Sequence, residues 1–290
     1  MSDPLATSYK LPATNAVFFG TSEEAVYALD ALSLKEILPS LIVTAPDRPV
    51  GRHFTITPPP AKVWAQKNNI PVLQPEKLDN EFLSELRATN PQLLIVVGYG
   101  KILPQALIDM AKNQIINVHP SLLPLYRGPT PIEGPILAGD SETGVTIMII
   151  DSEVDHGPIV RQEKYSLSGK EIAPELTKIL FTRGGEMIAE ILPDWIAEKI
   201  LPEAQDHTRA IYTKKLKKED GEIREEDDDE MRWRKYRAYQ PWPGVFFFDK
   251  NGKRVKITAA SFSEGKFIIE KVVPEGRNEI SYEKFPSSNV

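Results

Sequence analysis

The chain contains no cysteine. That absence excludes disulfides, thiolate zinc sites and a cysteine nucleophile together. Long apolar runs are missing too, since none reaches the ~20 residues that span a bilayer. The stretch Met1 to Thr7 lacks a basic region followed by an apolar core, so no secretory signal is read there. A cytoplasmic protein with no membrane partner is expected. Glycine is thin where a dinucleotide fold needs it: Val17-Phe18-Phe19-Gly20-Thr21-Ser22-Glu23 has one Gly instead of three, which argues against NAD. No Gly-x-x-x-x-Gly-Lys-Ser/Thr loop offers itself to phosphates.

Positive charge is in deficit, with 35 Lys+Arg against 41 Asp+Glu and a net charge of −6. The deficit is uneven. From Asp206 to Val290 there are 18 Lys+Arg and 16 Asp+Glu, whereas Met1 to Gln205 nets −8. Setting aside the acidic run Glu225 to Glu230 leaves a basic tail, which permits an anionic macromolecular partner there. Proline is the residue in excess, 25 of 290, well above the usual ~5% and a sign of many fixed loops.

Short apolar runs alternate with helix-like segments over most of the chain. Val17 to Phe19, Leu41 to Val43, Leu93 to Val97, Ile115 to Ile116 and Val145 to Ile150 read as buried strands. Glu23 to Leu34, Ala61 to Asn68, Asn80 to Ala88 and Gln105 to Lys112 have helical spacing. This order predicts an α/β fold with a Rossmann-like, doubly wound, mostly parallel sheet. A long amphipathic segment from Ala173 to Ile200, interrupted at Pro193, closes it. Beyond Leu201-Pro202-Glu203-Ala204-Gln205 the pattern changes to short strands with Asn-Gly and Glu-Gly turns, as in a small all-β unit. The expected division is 1–204 for a catalytic domain and 205–290 for a linker and the smaller domain.

The densest chemistry lies in Asn117-Val118-His119-Pro120-Ser121-Leu122-Leu123-Pro124, at the end of an apolar strand. Strand residues two apart share a face, so Asn117 and His119 are expected side by side. Pro120 cannot donate to a ladder, which leaves both at the carboxyl end of the strand, where open α/β sheets hold ligands. Downstream stands Asp155, in Asp151-Ser152-Glu153-Val154-Asp155-His156-Gly157. An Asn, a His and an Asp converging on one cleft point to chemistry at a carbonyl. Asn117 and His119 would donate to a developing oxyanion, and Asp155 would brace the imidazole and accept a proton. Asp151 is an alternative to Asp155. His156 and His119 suggest a metal pair, but no third ligand has a suitable spacing, so no metal is expected. Without a Gly-x-Ser-x-Gly elbow or a cysteine, no covalent intermediate is expected either.

These residues, followed by Arg127-Gly128, Pro131-Ile132, Gly144-Val145-Thr146 and Asp155-x-Gly157, resemble the folate-dependent formyltransferases. The resemblance implies transfer of a formyl group from 10-formyltetrahydrofolate to an amine. It runs from Ala16 to Ile257, taking in Thr44 to Arg52, Leu94 to Pro104, Tyr212 to Leu216 and Arg237 to Gly244. Those segments are similar to members acting on initiator methionyl-tRNA, in which an OB-like β-barrel domain helps hold the tRNA. The resemblance implies catalysis by Asn117, His119 and Asp155, and folate binding by Ser121, Leu122, Leu123 and Pro124, the last in a cis peptide. Tyr99 and Gly100, at the end of their strand, would line the same cleft. Arg48, Arg52 and Arg127 are candidates for the tRNA end, because guanidinium groups suit phosphates. The loop after Gly51 offers only Arg52 and His53, fewer cations than the family usually carries. A monomer is expected.

Rival readings stay open. A sugar-nucleotide N-formyltransferase using the same donor would share the polar trio, without predicting the Tyr212 to Leu216 and Arg237 to Gly244 segments. Glycinamide ribonucleotide formyltransferases usually end near the point where the second domain begins here. A catalytically silent folate- or nucleotide-binding module would not need the trio at all.

Overall fold

The computed structural model describes residues 15–51, 54–111 and 115–285. β1 (Ala16–Phe19) divides its side chains by the two-residue period of a strand. Ala16 and Phe18 enter a core on one side of the sheet, Val17 and Phe19 a core on the other. A strand buried on both faces has to be apolar throughout and covered twice by helices. The first cover is α1 (Glu23–Leu34), which buries Ala25, Ala28, Leu29 and Leu32 at helical spacing.

The chain continues through β2 (Leu41–Val43), the short hairpin β3 (Arg48–Val50) and β4 (Thr55–Thr57), α2 (Pro60–Lys67) and β5 (Val72–Leu73). Then come α3 (Asn80–Ala88), β6 (Leu93–Val96), α4 (Gln105–Ala111) and β7 (Ile115–His119). α3 starts where Asp79 accepts the Phe82 N–H at 3.2 Å, a side-chain N-cap. Phe82, Leu83 and Leu86 of α3, with Leu107 of α4, cover the face that carries Val17 and Phe19. The unit ends with α5 (Glu133–Ala138), β8 (Glu142–Ile149), β9 (Ile159–Ser166) and α6 (Ala173–Ile196). α6 continues through Pro193 instead of being interrupted there. Pro193 sits one turn from the helix end, so its ring removes a single hydrogen bond, and the turn closes with Ala197 N–H to Pro193 O at 3.1 Å.

The sheet has seven strands in the order β5-β2-β1-β6-β7-β8-β9. The first five run parallel, and β8 and β9 are antiparallel additions. The chain winds outward from β1 in one direction and restarts at β6 in the other, so the strand order reverses between β1 and β6. Crevices at such reversals receive ligands. There, Thr21 and Ser22 donate their N–H groups to Gly98 O at 3.0 and 3.3 Å. Gly98 has φ +54°, and a Cβ would lie 2.5 Å from Ser22 Oγ. Glycine is what lets the two strand ends approach this closely.

After a linker, α7 (Asp229–Ala238) begins inside the acidic run. Asp228 accepts the Met231 N–H at 2.7 Å, and Asp227 accepts from Arg224 N–H and pairs with Lys235. The run is therefore a helix start with its own partners. β10 (Val245–Phe248), β11 (Arg254–Ser263), β12 (Lys266–Pro274) and β13 (Ile280–Ser281) form an antiparallel sheet in that linear order. A register shift in β11 between Ile257 and Ala260 bends its long hairpin with β12. Ile132, Ile136, Leu176 and Leu180 of the larger unit share one apolar cluster with Tyr239, Val245, Ile257 and Val272 of the smaller. Among the described residues no helix is long and apolar enough to cross a membrane.

Candidate active site

A cavity of about 720 Å³ opens at the carboxyl ends of β1, β6 and β7. Its wall takes Thr21 and Ser22 after β1, Gly98 to Leu103 after β6, Asn117 to His119 on β7 with Pro120 after it, and Asp151 to Asp155 from the loop between β8 and β9.

His119 is only 4% exposed. Its Nε2 lies 3.0 Å from Tyr126 O. A carbonyl can only accept, so Nε2 carries the hydrogen and the ring orientation is set. Nδ1 faces Asp155 Oδ1 at 3.6 Å, too far for a hydrogen bond and therefore the ring nitrogen left for a ligand. The other oxygen of Asp155 accepts the Gly128 N–H at 2.7 Å. Asp155 itself has φ +50°, a left-handed conformation that Asp tolerates better than most residues. Asn117, half-buried two residues before His119, makes no side-chain hydrogen bond among the described residues. Its carboxamide is free to donate. The structure thus sets His119 against Asp155 and puts Asn117 on the same cavity wall.

Asp151 is committed elsewhere. Its carboxylate binds His156 Nδ1 at 2.7 Å and the Glu153 N–H at 3.0 Å. His156 in turn stacks on His207 at 3.9 Å with 4° between the rings. Among the described residues no group of three or more His, Asp or Glu is arranged to hold a metal. Glu133, on the cavity wall with Glu24, has its carboxyl pKa raised, first by burial and then by the charge of Glu24. Tyr99 lines the cavity, and burial pushes its phenol up to about 12. Its buried hydroxyl has no hydrogen-bond partner among the described residues.

Tyr99 and Gly100 line the cavity, and Ser121 to Pro124 form the turn that directly follows its wall residues His119 and Pro120. Ser121 is fully buried, and its Oγ donates to Leu125 O at 2.6 Å. Thr146 Oγ1 donates to Ser121 O at 2.6 Å, and Gln162 Nε2 donates to Leu123 O at 3.0 Å. β8 and β9 thus hold this turn directly after the strand end that carries His119. Leu123–Pro124 is cis. Arg127 departs from the exposed position expected of it. It is 1% exposed, and its guanidinium donates to Gln205 Oε1, His207 Nδ1 and the Tyr212 hydroxyl. No donor remains at the surface for a phosphate. Arg48 is exposed on β3, and Arg52 lies outside the described residues.

Sequence reasoning missed the supporting parts: the Tyr126 carbonyl, the Gly128 N–H and Gln205. The Arg127-Gly128 pair was the available signal, because a glycine directly after a buried turn marks backbone in an unusual conformation. Gly128 has φ +102° and a Cβ there would meet Thr213 Oγ1 at 3.0 Å.

Residues 14–192 match the family described as Formyl transferase, and residues 215–285 match the Formyl transferase C-terminal domain. The methionyl-tRNA formyltransferase of Chloroflexus aurantiacus is 44% identical over 246 residues, covering 84% of this chain and 79% of that one. That of Citrifermentans bemidjiense is 39% identical over 265 residues, covering 91% and 83%. Among solved structures, the methionyl-tRNA formyltransferase from Clostridium thermocellum superposes with a TM-score of 0.60 at 18% identity, covering 90% of this chain and 98% of that one. An N-formyltransferase from Helicobacter canadensis, in complex with folinic acid and dTDP-3-aminofucose, gives 0.64 at 18% identity over 92% and 98%. Superpositions at this identity speak for the fold alone. The sequence relatives carry the finer placement, because they match both units of the chain together. The chain belongs to the formyltransferase family, in the branch of the methionyl-tRNA formyltransferases.

Proposed function

We propose that this protein moves the formyl group of 10-formyltetrahydrofolate to the α-amino group of initiator methionyl-tRNA. One observation supports the chemistry above the rest: His119 Nδ1 faces Asp155 at 3.6 Å on the wall of the strand-reversal cavity, beside an unpartnered Asn117. The amine nitrogen adds to the formyl carbon, and the carbonyl electron pair moves onto oxygen. Asn117 Nδ2–H and a protonated His119 Nδ1 meet that oxyanion, the kind of interaction worth about 3–4 kcal/mol per donor by deletion. Asp155, fixed by Gly128 N–H, takes the proton lost by the attacking amine, directly or through a water. When the intermediate collapses, the bond from the formyl carbon to the folate nitrogen breaks and that nitrogen takes a proton. The products are formylated amine and tetrahydrofolate.

Tyr99, Gly100 and the apolar wall formed by Ile102, Leu103 and Ile150 suit a flat pterin ring. Exposed Arg48 on the β3–β4 hairpin is the described cation assigned to the tRNA end. The second unit, packed on α5 and α6, supports a macromolecular acceptor over a small one.

The acceptor comparison tests the proposal. Purified protein with 10-formyltetrahydrofolate is expected to formylate charged methionyl-tRNA and to leave a nucleotide-linked amino sugar unmodified. Formylation of the amino sugar alone would move the assignment to a sugar-nucleotide N-formyltransferase.

A further inference from the structure

We propose that Gln205 is a positioning residue for Asp155, so that the linker between the two units completes the catalytic site. The inference rests on the role just given to Asp155.

Asp155 stands in a left-handed conformation at φ +50° in a loop whose only regular flanks are β8 and β9. Two tethers hold it. Gly128 N–H grips the carboxylate at 2.7 Å. Gln205 grips the backbone: its Nε2 donates to Asp155 O at 3.0 Å and to Gly157 O at 2.7 Å, spanning the bend on both sides of His156. The Oε1 of the same carboxamide accepts from Arg127 Nε at 3.1 Å and Nη2 at 2.6 Å. Gln205 is 6% exposed and its two donors and its acceptor oxygen are all engaged.

Arg127 ties the two tethers together. Its backbone N–H donates to Ile211 O at 2.8 Å, and Thr213 N–H donates to Arg127 O at 2.7 Å. Gly128, which holds the carboxylate, is the next residue. Both grips on Asp155 therefore hang from one lacing between Arg127 and the linker segment 205–213. Only a carboxamide satisfies this position, since it must donate twice to carbonyls and accept from a guanidinium with one side chain. Glutamate keeps the acceptor and loses both donors. Methionine loses all three groups at similar length.

The test uses the full chain. Gln205→Glu is expected to lower kcat for methionyl-tRNA formylation about 10- to 100-fold, the scale on which misplacement of a catalytic group acts. The donor KM stays unchanged, and a thermal melt reads separately what the stranded carbonyls of Asp155 and Gly157 cost the fold. In an Asp155→Asn background the same substitution causes no additional loss, because it acts through Asp155. A residue with a merely structural role would multiply its effect with that of Asp155→Asn. Should Gln205→Glu fail to fold, Gln205→Met is judged by the same kcat and KM criteria. Undiminished kcat in either folded variant, or multiplicative losses in the double variant, would overturn the inference. Full activity in Asp155→Asn alone would instead overturn the reading of the site.

Discussion

Asp155→Asn is the sharpest probe of the chemistry, because it changes charge and donor pattern while leaving shape intact. Asparagine tolerates the left-handed backbone at least as well as aspartate. Its Oδ1 can keep the bond now made from Gly128 N–H to Asp155 Oδ2 at 2.7 Å. That choice turns the Nδ2 amine toward His119 Nδ1, where Asp155 Oδ1 now stands at 3.6 Å. His119 has already committed Nε2–H to the Tyr126 carbonyl, so Nδ1 facing an amine is left as an acceptor. The donor to the oxyanion disappears.

The size of the loss follows from two routes. Unit charges about 4 Å apart at an effective dielectric near 20 interact by about 4 kcal/mol. Deleting a preorganised oxyanion donor costs about 2.7–4 kcal/mol, or roughly 100- to 1,000-fold in kcat. The two agree, and the cost belongs in kcat and not in the donor KM. Single-turnover formylation of methionyl-tRNA, read beside a thermal melt, separates catalysis from folding. A variant with a native melting temperature that still works within about fivefold of the parent, far below the loss set by one donor, would refute the reasoning.

Asn117→Ala is expected to reduce kcat by about 100- to 1,000-fold with little change in melting temperature, since its carboxamide has no partner to lose; kinetics and calorimetry check both halves. Arg127→Met is expected to destabilise the fold by about 2–4 kcal/mol through stranded buried acceptors, while the salt dependence of tRNA binding keeps its slope because no phosphate contact is lost. Stability should also fall in strong alkali. Burial raises the phenols of Tyr99 and Tyr239 from 10.0 to about 12, so their contribution is complete below pH ~10 and is lost as pH rises toward ~12. Denaturant titrations across that window should show the decline, less steeply in Tyr99→Phe. A stability curve that is flat through the window would contradict it.

How much of this could be read from the chain depends on whether local pattern or closure decides a residue's role. β1 was legible because the apolar run Val17 to Phe19, too short for a helix and followed by a turn, fits a strand covered on both faces. The antiparallel direction of β8 was not, since a continuous apolar run carries no orientation. β9 escaped notice because it is an edge strand with no buried residue, and α5 because six residues containing Gly134 and Pro135 do not read as a helix. The shared face of Asn117 and His119 followed from the period of two. The meeting of His119 with Asp155 needed the loop after β8 to fold back, which no spacing encodes. Arg127 misled for a physical reason. A guanidinium serves a phosphate and a set of buried acceptors equally well, and only burial tells the two apart. The same closure that hid Arg127 brings Gln205 across to the bend holding Asp155. Support for a catalytic group is often remote in sequence because a bend in strained conformation must be held from outside itself, and here the nearest outside segment is the linker.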